Sequence, residues 1–134
     1  MGYKKGVGYE RELVNLFWKN GWAAIRVPGS GGISAPVPDI VAGKGNLKIA
    51  VQCKAIDARS YYIKKSDINS LVTFCSIFGA LPYIGFRLPN RRWIFVKPED
   101  FEETDKSFKI TKEKMLVRGI EFKELIGEER QERL

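Results

Sequence analysis

A chain of 134 residues, 44% of them hydrophobic, is long enough for one domain with its own core and short for two, so residues 1–134 read as a single unit. It has no histidine and two cysteines, Cys53 and Cys75, without metal-ligand spacing, which argues against structural zinc and against Ser-His or Cys-His nucleophiles. The net charge of +7 points to a polyanionic partner; no apolar run nears the roughly 20 residues of a membrane span and no signal-peptide pattern opens the chain, so a cytoplasmic protein is expected.

Tyr9 to Asn20 carries Leu13, Leu16 and Phe17 at helical spacing and stops at Gly21, which predicts an amphipathic helix. Glu10, Arg11 and Glu12 fall in its first turn, where acids complement the helix dipole. Trp22 to Val27 reads as a strand. Pro28 to Pro36, PGSGGISAP, has no core-forming character and is either a plain connection or an arm beside a ligand, with Ser30 able to reach a phosphate.

Val37 to Lys54 reads as a hairpin: Pro38-Asp39 opens an apolar run, Gly43 to Asn46 make a turn, and a second run ends at Gln52-Cys53-Lys54. The register that sets Asp39 opposite Gln52 would gather three polar groups, because Gln52 and Lys54 share a strand face. Taken alone, such a group is also what a solvated strand rim looks like.

An exposed polar segment from Asp57 to Lys65, with Tyr61 and Tyr62, should precede a helix over Ser66 to Phe78. Ser66 is its N-cap, Ile68, Leu71, Val72 and Cys75 form one face, and Gly79 ends it. Phe74 and Phe78, four apart, fit core packing or a dimer seam. Leu81 to Leu88 and Trp93 to Lys97 are strands joined at Pro89-Asn90, with Arg91 and Arg92 at the tip. Phe108 to Ile110 would add an edge strand, and Ile120 to Arg133 a charged helix. The order predicts an α/β domain: a central mixed sheet of about five strands flanked by helices on both faces.

Glu10, Asp39, Gln52 and Lys54 could converge on one point. Carboxylate oxygens there suit Mg²⁺ or Mn²⁺, a lysine can orient or deprotonate water, and a basic surface makes a phosphodiester the natural substrate. Basic residues crowd the first half, among them Lys5, Arg11, Arg26, Lys44, Arg59 and Lys64, and are candidates for DNA contact.

The segments GVGYERELVNLF, AAIRVPGSGG, PDIVAG, VQCKA and LVTFCSIFGA, in that order, resemble the archaeal-type Holliday junction resolvases of the PD-(D/E)xK nuclease superfamily, over roughly residues 6 to 97. The resemblance implies a restriction-endonuclease-like fold and a homodimer that cuts four-way DNA junctions with a divalent metal. Glu10 and Asp39 would be metal carboxylates, with Gln52 and the Cys53 backbone carbonyl completing the set, and Lys54 the catalytic lysine. Arg11, Arg26 and Ser30 would meet the scissile phosphate or junction backbone, and Phe74 and Phe78 the second protomer. The chain departs from the pattern at Gln52, where the family has an acid. An amide offers an oxygen without the charge that concentrates cations, so Gln52 either inactivates the site or leaves a weakened one. A junction-binding module that does not cut, and a repair or restriction-type nuclease of the same fold, are the alternatives.

Overall fold

The computed structural model describes residues 2–28, 35–55 and 60–127, with the side chains of residues 2–7 and 60 outside that description. Helix α1 runs Gly2–Lys19, seven residues earlier than its apolar stripe predicts. Glu10 and Glu12 therefore sit in the helix interior. The dipole acts within the first turn, so it does not explain them. Leu13 and Phe17 are fully buried, and Gly21, with φ 82, reverses the chain at the helix end.

Strands β1 (Ala23–Arg26), β2 (Ile40–Lys44) and β3 (Leu47–Ala55) form an antiparallel meander. The β2–β3 turn is Gly45-Asn46, and Gly45 supplies the positive φ of 60 that a two-residue hairpin loop requires. After β3 the chain crosses over to β5 (Leu81–Leu88), which pairs with β3 in parallel from Ile49↔Leu81 to Ala55↔Arg87. Strand β6 (Arg92–Val96) returns antiparallel to β5, and the two-residue β9 (Ile120–Glu121) closes the edge. The order β1-β2-β3-β5-β6-β9 is a mixed sheet of six strands, as the predicted class requires and one strand wider.

The crossover carries the largest departures from expectation. Residues 60–64, expected to be an exposed segment, form strand β4 (Ser60–Lys64), with Tyr61 and Ile63 buried and Tyr62 and Lys64 exposed. It joins a second sheet in which β8 (Ser107–Thr111) is the central strand, flanked by β4 and β7 (Glu102–Glu103), so Phe108 to Ile110 are not an edge of the main sheet. Helix α2 is Lys65–Phe78 with Lys64 as N-cap, which leaves Ser66 inside the first turn and uncapping. Val72 turns outward while Ile68, Leu71 and Cys75 are buried. Beyond β8 come α3 (Lys112–Arg118) and the one-turn α4 (Phe122–Leu125); the charged helix expected over Ile120 to Arg133 is limited to that turn among the described residues, with a strand at residues 120–121, and residues 128–133 lie outside the described ones.

Two cores lie on the two faces of the main sheet. Leu13 and Phe17 of α1 pack on Ile40, Ile49, Val51, Trp93 and Phe95. Ile68, Leu71 and Cys75 of α2 pack on Ala50, Ile84, Phe86, Ile94 and Val96, together with Tyr61, Ile63 and Ile110 of the small sheet. Alternate residues of β3, β5 and β6 thus serve opposite cores, the period-two consequence of a sheet buried on both sides. No helix among the described residues is long and apolar enough to cross a membrane.

Gly85 shows how tight this packing is beside the end of β3. It lies opposite Cys53, and a Cβ there would stand 2.9 Å from Val51 Cγ1 and 3.1 Å from Phe95 Cε1. Gly85→Ala is expected to lower the unfolding free energy by about 1–3 kcal/mol, the usual cost of overpacking. Denaturant titration should show a lower midpoint at unchanged slope.

Candidate active site

The β2–β3 ladder ends at Ile40↔Val51, where Pro38 has no N–H to continue it. Asp39 straddles Gln52: its backbone N–H donates to the Val51 carbonyl at 3.2 Å, and its Oδ2 accepts the Cys53 N–H at 2.9 Å. Its own carbonyl accepts from the Val27 N–H at 2.8 Å, which ties it to the end of β1. The aspartate is buried, at 8% exposure. The expected juxtaposition of Asp39 with Gln52 is present, fastened by neighbours on both sides of Gln52.

Glu10 reaches this point from α1. Its Oε1 lies 3.5 Å from Nη1 of Arg26, on the β1 end next to Asp39, and the Asp39 charge acts on the Glu10 carboxyl. Gln52 and Lys54 are half-buried on the same strand face, and neither makes a side-chain hydrogen bond or ion pair among the described residues. The Cys53 side chain packs on the α1 side. Burial, and then the charges of Asp39 and Glu10, push its thiol well above the ordinary range, so it is held neutral.

The remaining expectations divide. Arg11 is exposed on α1 between the two glutamates, and Lys64 is exposed at the end of β4. Lys44 lies at the β2–β3 turn, at the opposite end of β2 from Asp39, so it is not brought to the site. Ser30 and Arg59 lie outside the described residues, as does the side chain of Lys5. Phe74 and Phe78 stack with ring centroids 5.0 Å apart; Phe74 touches the α2 core while Phe78 is 45% exposed.

One group was not read from the sequence. Glu12 accepts two hydrogen bonds from Arg87, from Nε and Nη2 at 3.0 Å each, and a third from the Trp93 indole at 2.8 Å. The Arg87 guanidinium also lies 4.7 Å from the centroid of the Tyr9 ring. The partners are 75 and 81 residues apart, so no local pattern announces them.

The arrangement stands beside a clear kinship. A family model described as archaeal Holliday junction resolvase (Hjc) matches residues 1–134. The chain belongs to that family. It is 41% identical over 129 residues to a crossover junction endodeoxyribonuclease Hjc of Archaeoglobus fulgidus, covering 96% of this chain and 94% of the relative. With the Hjc of Methanocaldococcus jannaschii it shares 35% over 129 residues, 96% and 92% of the two chains. The solved structure of Archaeoglobus fulgidus Hjc, a Holliday junction resolvase, superposes with a TM-score of 0.83 at 38% identity over 92% of this chain and 96% of that one. The resemblance read from the motifs and the α/β fold class are therefore borne out.

The donor set of this resolvase-family site is oxygen: two carboxylates, one amide and backbone carbonyls. Among the described residues no cluster of three or more His, Cys, Asp or Glu side chains forms. Magnesium is commonly held by one or two carboxylates with retained waters and substrate phosphates, so the set fits that ion while lacking a third acid.

Two glutamates two residues apart on α1 are tuned in opposite directions. Burial and the Asp39 charge raise the Glu10 carboxyl above its ordinary 4.5, and Arg26 only partly offsets them. The Arg87 hydrogen bonds hold Glu12 below 4.5, against the opposing effect of burial, with Trp93 and the Arg91 charge adding to them. Folded protein thus binds the Glu10 proton more tightly than unfolded chain does, and this contribution to stability is lost as pH rises from 4.5 through the raised value. The Glu12 contribution is present above 4.5 and lost as pH falls through the lowered value. In metal-free buffer at neutral pH, Glu10→Gln should raise the melting temperature. Glu12→Gln should lower stability by about 1–3 kcal/mol, the worth of hydrogen bonds to a charged group. Both differences should shrink on acidification, as followed by thermal melts across pH.

Proposed function

We propose that the chain is a structure-selective DNA endonuclease that binds four-way junctions as a homodimer and hydrolyses one phosphodiester in each of two opposing strands. The observation that carries this reading is the meeting of Glu10 and Asp39 beside Gln52 and Lys54 at the end of β3, in a chain whose relatives are named crossover junction endodeoxyribonucleases. Glu10, Asp39, the Gln52 amide oxygen and the Cys53 carbonyl would hold Mg²⁺, or Mn²⁺ in its place. That ion, when bound, lowers the pKa of water and neutralises charge on the phosphate and leaving oxygen.

The chain's own groups do the rest. Asp39 is fixed by its bond to the Cys53 N–H, so its second oxygen is aimed without loss of side-chain freedom during reaction. Arg26 holds Glu10 in place and presents positive charge for the scissile phosphate. Lys54 orients the attacking water and can take its proton. The new bond joins water oxygen to phosphorus, and the bond from phosphorus to the leaving oxygen breaks as that oxygen acquires a proton. Arg11 and Lys64 add phosphate contacts, which give affinity and salt dependence, while junction choice comes from shape.

The dimer reading is supported by the apolar surface at the end of α2, where Ile77 is 82%, Phe78 45% and Leu81 52% exposed, with Trp18 and Ile25 of the neighbouring elements also exposed. A two-fold pair built there would match a junction's pseudo-two-fold symmetry. Phe78→Asp should shift the protein to monomer in sedimentation analysis and abolish paired cutting.

The neutral Gln52 favours a second reading, a module that binds junctions without cutting. A labelled four-way junction, incubated with the unaltered chain and with Gln52→Glu in Mg²⁺ and in EDTA, separates the two. Cleavage by the unaltered chain, at least about tenfold faster in Gln52→Glu and abolished by EDTA while binding persists, is the expected outcome. Tight binding with no nicking by either protein in Mg²⁺ or Mn²⁺ would leave the module.

A further inference from the structure

We infer that the tip of the β5–β6 hairpin, through Arg91, is a further DNA-backbone contact that grips the duplex arm leading away from the cut. This rests on the junction-nuclease reading and extends it to a residue outside the metal site.

The topology places the tip. Because β5 runs parallel to β3 with Arg87 beside Ala55, both strands end on the same side of the sheet, and that is the side carrying Gln52, Cys53 and Lys54. The last β5–β6 pair is Leu88↔Arg92, so residues Pro89, Asn90 and Arg91 project beyond the level of the site. In the sheet order β3-β5-β6, Arg91 stands up to about two interstrand spacings, on the order of 10 Å, across the sheet from Lys54 and further along the strand direction.

Charge and backbone give the reason. Three arginines cluster here, and two have acidic partners: Arg87 binds Glu12, and Arg92 lies 3.3 Å from the exposed Glu121. Arg91 is exposed and makes no side-chain hydrogen bond or ion pair among the described residues, although it stands close enough to Glu12 for its charge to act there. Asn90 and Arg91 both take left-handed backbone, with φ 66 and 60. Asparagine tolerates that region; an arginine is strained in it, and a glycine would close the same turn without strain. A strained, exposed residue without a hydrogen-bond or ion-pair partner in the molecule suits a role toward something outside it. Arg11, exposed on α1, adds to the positive charge available to a DNA backbone.

The strain makes the test clean. Arg91→Gly removes the guanidinium and relieves the backbone, so it should melt at or above the temperature of the unaltered protein. Arg91→Lys keeps the charge. Dissociation constants for a synthetic four-way junction, measured in EDTA across about 50 to 200 mM salt, give affinity and the dependence on salt. Arg91→Gly should bind several-fold more weakly, with a log–log salt slope shallower by about 1 for each protomer engaged, while Arg91→Lys stays near the unaltered protein. An unaltered affinity and slope in Arg91→Gly, or an equal loss in Arg91→Lys, would overturn this inference alone. Failure of the unaltered protein to bind the junction would overturn the nuclease reading and this inference with it.

Discussion

The hydrogen bond from the Cys53 N–H to the Asp39 carboxylate carries pairing past the point where Pro38 stops the β2–β3 ladder. On its other edge, β3 stays paired with β5 as far as Ala55↔Arg87. Residues 52–54 are thus held by a side chain on one edge and a parallel strand on the other. A carboxylate in place of a strand has two oxygens where a backbone carbonyl has one, so it bonds the Cys53 N–H and carries a second acceptor at the strand end. The Cys53 N–H, otherwise unmatched in a half-buried strand, is satisfied by the same bond.

Helix α1 then spans the sheet as a rigid bar between two sets of partners. Glu10 points toward β1 and meets Arg26 and Asp39, whereas Glu12 points toward β5 and β6 and meets Arg87 and Trp93. The two ends of the bar differ in kind. The Glu12 set has matched charges, two bonds from one guanidinium and an indole donor, which makes it an anchor. The Glu10 set has an acid facing an acid, which makes it a poor anchor. The anchor keeps Glu10 in an environment it would otherwise leave, and local strain at a site is tolerated because the surroundings over-determine it.

Several of these features could be read from the chain. The stripe Leu13, Leu16, Phe17 gave the helix, the Gly45-Asn46 turn gave the hairpin, and Leu81–Leu88 was placed to the residue, because each rests on local period and turn chemistry. The start of α1 was missed since Gly6 and Gly8, each disfavouring helix by about 1 kcal/mol, mask it. Strand β4 was missed because its alternation of Tyr61 and Ile63 with Tyr62 and Lys64 lies in a basic stretch, and its partner β8 is more than 40 residues away. The site's acids and lysine were legible as motif residues. The Glu12, Arg87 and Trp93 set was not, for it exists only after β5 and β6 are paired under α1.

Gln52 can be weighed in the same terms. Glu10 and Asp39 bring two negative charges, and Arg26 and Lys54 two positive ones, so the four groups nearly balance. Even so, the Glu10 carboxyl is raised, which means that burial and one neighbouring acid already outweigh the arginine. Gln52 lies directly beside Asp39, so a glutamate at 52 would set an acid next to that carboxylate and favour its protonation. The amide avoids that repulsion. At this position an uncharged amide favours the stability of the fold, as it does wherever acids are gathered at one point.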